Sequence, residues 1–185
     1  DRHQDQRARV FGLLAATEKR CAEVYFSFTR VTRDLAGSGR RDWQQLLFEA
    51  HQHYWETFAL NRDNSWGVVQ YLSLDIVLRN LLQPEPHLRI EGFEEHNRPA
   101  NLWKLAEVLS VNDLRTKDEQ RVRWAFGNLT ELYLIAPMIM AVPPEEVQPF
   151  ADRAVQKAQD LVDRAGADSF EVYSTRRQVL RYEDW

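Results

Sequence analysis

With 185 residues, 44% of them apolar and 28% charged, the chain can bury a sizeable core and is too apolar to be disordered. A net charge of −4 argues against a dedicated nucleic-acid binder, and a lone cysteine excludes an intrachain disulfide. The longest apolar run, around Leu132–Val142, is too short and too broken by proline to span a bilayer.

Among residues 1–41, nine basic side chains stand against five acidic ones, so the acidic excess lies in the rest of the chain. A solvated helix face accounts for that basic stretch. Cys21 as the only cysteine fits a reducing, cytoplasmic setting. The first residue is Asp1 rather than Met. The expectation is a single helical domain, residues 1–185, excised from a longer polypeptide.

The first helix is predicted from about Gln4 to Ala36. Val10, Leu13, Leu14, Cys21, Val24, Tyr25, Phe28, Val31 and Leu35 recur at three- and four-residue steps and form one apolar stripe. That stripe is expected to be buried, and Cys21 with it as an inert thiol. Gly37-Ser38-Gly39 ends the helix.

A second helix is predicted from Asp42 to about Leu60, with Trp43, Leu46, Leu47, Ala50, Tyr54 and Phe58 inward. After the turn Asn61–Asn64, Asn64 or Ser65 caps a third helix, Trp66 to Leu82, which is apolar almost all round and therefore central. Residues 83–99 hold three prolines, Gly92 and a concentration of Glu and His, and are read as a long, mobile irregular segment.

A fourth helix is expected over Ala100–Ser110, with Leu102, Leu105, Ala106 and Leu109 inward, and a turn at Val111–Asp113. The fifth runs from about Leu114 to Ala136, where Pro137 ends or kinks it. Pro143-Pro144-Glu145-Glu146 is a start signal for the sixth, which ends at Gly166. Asp168 or Ser169 caps the seventh, in which Phe170, Tyr173, Arg177 and Leu180 share one side. The fold class is all-α: about seven helices in antiparallel hairpins, as a bundle or a short stack.

Few residues suggest chemistry. Glu49, His53 and Glu56 share a helix face, but no second helix offers the Glu-x-x-His pairs that a dinuclear site needs. His87 and His96 lie among four glutamates in the irregular segment with no recognised ligand spacing, so no metal and no cofactor is expected. Asp75 and Arg79 suit an intrahelical ion pair joined by Gln70. There is no glycine-rich phosphate loop and no Gly-x-Ser-x-Gly.

Two resemblances follow. Trp124-Ala125-Phe126-Gly127-Asn128-Leu129-Thr130-Glu131-Leu132-Tyr133 resembles the first helix of a tetratricopeptide-like repeat. Phe150-Ala151-Asp152-Arg153-Ala154-Val155-Gln156-Lys157-Ala158 resembles its second, and Trp66–Leu72 is similar to another first helix. The resemblance implies a protein-interaction or regulatory scaffold module of a larger signalling or defence protein. Its partner would be another protein or another domain of the parent chain, held in a helical groove by aromatic anchors among Trp103, Trp124 and Tyr133. Alternatively, Arg89 and His96, with six residues between them, resemble the Arg-x(4–6)-His signature of HEPN ribonucleases. That likeness implies an all-α RNA-cleaving or nucleotide-associated domain with this pair as catalytic residues.

Overall fold

The computed structural model describes residues 2–31, 39–82 and 99–184, and side chains within 3–28, 43–80 and 99–183. Among them are seven α-helices and no strand: α1 (Arg2–Val31), α2 (Gly39–Leu60), α3 (Ser65–Leu82), α4 (Pro99–Asp113), α5 (Glu119–Met140), α6 (Gln148–Ala165) and α7 (Phe170–Asp184). No helix of the described residues is long and apolar enough to cross a membrane. The chain divides into two compact units, Asp1–Leu78 and Arg79–Trp185. His87, Arg89, His96 and nearly all of the irregular segment lie outside the described residues, as does the glycine turn at 37–38.

In the first unit α1 and α2 form an antiparallel hairpin, with Phe26 edge-on to Trp43 near one end and Phe11 stacked on His53 further along. The turn after α2 is built by Asn61, whose side-chain oxygen accepts from the Asp63 amide. Asn64 then accepts from the Gly67 amide at 3.0 Å and caps α3, as its position predicts. Helix α3 is buried nearly all round, including Val68, Val69, Leu72 and Leu74. Tyr54 meets Trp66 edge-to-face, and Tyr71 stacks on His51, so aromatic pairs join α2 to α3.

Helix α1 departs from expectation. The predicted stripe faces outward: Val10, Leu13, Leu14, Val24, Tyr25 and Phe28 are all exposed, and so is Cys21. The face turned inward carries Ala8, Gly12, Ala15, Lys19 and Ala22 instead. The cause is the width of the gap. A Cβ on Gly12 would stand 2.9 Å from the Trp66 ring, so only the smallest residues let α1 lie against Trp66 and Thr57. Lys19, only 2% exposed, is accommodated by donating to Gln70 Oε1 at 2.5 Å, with its ammonium over the Tyr54 ring.

In the second unit α5 is the central helix. Every residue from Gly127 to Tyr133 is buried, because α4, α6 and α7 all pack on it. Its start lies five residues later than predicted. Helix α4 continues to Asp113, and Asp118 caps α5 by accepting from the Gln120 and Arg121 amides. Pro137 does not end α5. The helix carries it for another turn and closes at Ala141, which is left-handed at φ 51° with its amide bonded to the Pro137 carbonyl. On α4, Leu105 points outward and Trp103 takes the inward place assigned to it.

The proline pair at 143–144 starts only a 3-10 turn, Pro144–Glu146. Helix α6 starts at Gln148, where Pro149 fits the first turn. Gly166 ends α6 at φ 86°, a conformation that a side chain would strain, with its amide donating to the Val162 carbonyl. Ser169 caps α7 by accepting from the Val172 amide.

Candidate functional site

Among the described residues, no three His, Cys, Asp or Glu side chains are placed to hold a metal ion. His53 donates to Glu18 at 2.7 Å, a bond between α1 and α2. Asp75 approaches the His51 ring at 3.7 Å, and Gln70 is engaged by Lys19. These polar groups tie helices together inside the first unit.

The three aromatic residues predicted as anchors have different positions. Trp103 is 4% exposed and donates its indole N–H to the Leu132 carbonyl at 2.8 Å, so its ring is spent in the core between α4 and α5. Tyr133, 8% exposed, sits against Trp103 with ring centroids 6.0 Å apart. Its hydroxyl donates to Glu107 at 2.9 Å, and the Arg153 guanidinium lies over its ring. Only Trp124 is half-buried.

Burial, and then the Glu107 carboxylate, push the Tyr133 phenol up to about 12. The fold therefore favours the neutral phenol. Its contribution to stability is complete below pH 10 and fades as pH rises from there through about 12. An absorbance titration should show a late phenolate step that Tyr133→Phe removes and Glu107→Gln moves earlier. If Tyr133→Phe leaves the curve unchanged, the ring is not held as described.

Trp124 leads to the site. It meets Phe170 edge-to-face at 5.9 Å, and Phe170 is the first residue of α7. From there Phe170, Tyr173 and Leu180 follow at three- and seven-residue steps, exposed by 60%, 61% and 46%. The opposite side of α7 is polar and buried: Glu171, Gln178 and Arg181. Helix α7 thus turns these three apolar side chains outward, while Val172 and Val179 are half-buried.

Part of the reason lies on α5, which meets α7 with Glu131 and with Gly127, where a Cβ would stand 2.6 Å from the Thr175 hydroxyl. Glu131 accepts a short hydrogen bond from the Tyr182 hydroxyl. Gln178 donates to Tyr182, and Arg181 donates to Gln178 at 2.8 Å. Glu131 is buried and needs a polar partner on α7, because a buried polar group left without one costs about 1–3 kcal/mol. Satisfying it turns Phe170, Tyr173 and Leu180 to the surface beside Trp124.

Sequence reasoning placed Phe170, Tyr173 and Leu180 together but did not read them as a surface. The available signal was the polar row Glu171, Gln178 and Arg181, at seven- and three-residue steps along the same helix. Comparisons with protein-family models, with curated proteins and with solved structures return no match for this chain.

Proposed function

We propose that the protein is an interaction module that binds a polypeptide along α7, with Trp124, Phe170 and Tyr173 as aromatic anchors. The carrying observation is the reversed amphipathicity of α7, which leaves two aromatic side chains and Leu180 in water while Glu171, Gln178 and Arg181 are buried. Exposed aromatics supply large contact area at little entropic cost, and each buries about 150–250 Å² when covered. A partner with apolar anchors on one side, helical or extended, gains most from such a face. The tetratricopeptide-like pattern of α5 and α6 supports the same reading, with the partner another protein or another domain of a parent chain.

Selecting a displayed peptide library on the purified protein tests this. The selected peptides should lose about 2 kcal/mol of affinity against Phe170→Ala or Tyr173→Ala, roughly thirtyfold. Val155→Ala, an exposed apolar change on α6, should leave them bound. Peptides indifferent to both α7 variants, or no enrichment at all, would remove the proposal.

A further inference from the structure

The outward stripe of α1 has a stricter spacing than an ordinary amphipathic face. Val10, Leu14, Thr17, Cys21, Val24 and Phe28 alternate four- and three-residue steps, the 3.5-residue repeat of a helix that packs lengthwise on another helix. All six side chains are exposed, and Leu13 and Tyr25 flank them. The helix uses other faces, Ala8, Ala15 and Ala22 among them, to pack within its own unit.

We propose that this seam is closed by the same seam of a second copy, antiparallel about a two-fold axis. Three observations point to that occupant. First, the seam is self-complementary when reversed. Val10 falls opposite Phe28 of the second copy, Leu14 opposite Val24, and Thr17 opposite Cys21, so each larger side chain but the central pair meets a smaller one. A parallel pair would instead set Phe28 on Phe28 and put β-branched Val10, Thr17 and Val24 at the positions where two-stranded parallel coils prefer leucine.

Second, the central layer tolerates burial. The Thr17 hydroxyl already donates to the Leu13 carbonyl at 2.8 Å, and a thiol behaves as a small apolar group. Third, the size fits. The exposed apolar side chains of α1 present on the order of 600 Å², at the upper end of what a monomer leaves bare. Pairing two copies buries about 1,200 Å², the lower bound for a stable interface. Arg20, exposed beside Cys21, meets its copy across the axis and keeps the association moderate.

This proposal uses the first unit alone and stands apart from the α7 surface. The experiment is sedimentation equilibrium of the full chain across a concentration series. The mass should rise from 21.8 kDa toward twice that value in the micromolar range. Val24→Glu, at a side chain 65% exposed, should return the monomer without lowering the melting temperature of dilute protein, and Arg20→Gln should tighten the dimer. Oxidation then tests the register: Thr17→Cys places its thiol beside Cys21 of the second copy and should yield a covalent dimer faster than wild type. A chain that stays monomeric into the hundred-micromolar range overturns the proposal. So does a dimer indifferent to Val24→Glu, or wild type that crosslinks through Cys21 as fast as Thr17→Cys does.

Discussion

Replacing Trp103 by Ala should lower the unfolding free energy by about 3–5 kcal/mol, read from a chemical denaturation curve. The ring is almost wholly buried, touches Tyr133, and loses with its N–H the bond to the Leu132 carbonyl. Tyr173→Ala removes a ring of similar size from α7, yet should change stability by no more than about 0.5 kcal/mol, because that ring is already in water. The two variants therefore separate a core aromatic from a surface one that the same sequence patterns do not distinguish. If Trp103→Ala costs under about 1 kcal/mol, α4 does not pack on α5 as described.

Gly12→Val should cost about 2 kcal/mol net. The first carbon alone would come within 2.9 Å of the Trp66 ring and 3.5 Å of the Thr57 methyl. Trp66 has little room to yield, since it stands edge-on to Tyr54 at 5.2 Å. Overpacking of this kind costs about 1–3 kcal/mol, more than the few tenths that valine gains over glycine in a helix. Its neighbour is the control. Leu13 is 71% exposed, and Leu13→Ala should leave dilute protein within about 0.5 kcal/mol of wild type. Thermal or denaturant unfolding of both variants decides the orientation of α1, and the reverse ranking would restore the inward stripe.

Those adjacent positions also show where the sequence was legible. Boundaries that depend on local chemistry were readable: Asn64 at the start of α3, Gly166 after α6, Ser169 before α7. The all-helical class and the burial of α3 followed from periodicity, which needs only the chain's own neighbours. Periodicity located the stripe on α1 but could not say what covers it. That depended on Trp66, more than fifty residues away, which admits only a face of small residues. Ala8, Gly12, Ala15 and Ala22 form a second stripe that was visible in the sequence and outweighed by larger side chains.

Pro137 lies inside α5 rather than ending it, although its ring removes one helical hydrogen bond. Here the Ala141 and Val142 amides both return to the Pro137 carbonyl. Of the candidate site, the repeat-like pattern of α5 points to Trp124. Trp103 and Tyr133 were chosen by residue type, and type says nothing about which side of α5 receives α4. The exposure of Phe170 and Tyr173 depended on the polarity of a different helix.

That dependence makes α7 a locally frustrated element. Its own pattern favours turning Phe170, Tyr173 and Leu180 inward, and the hydrogen bond from Tyr182 to Glu131 on α5 opposes this. Natural sequences remove most such conflicts, and those that persist concentrate at working sites. On this view the Glu131–Tyr182 bond helps to hold the rotational setting of α7. An apolar residue in place of Glu131 would leave the Tyr182 hydroxyl without that acceptor, at a cost of about 1–3 kcal/mol, and would loosen the setting that keeps this surface outward.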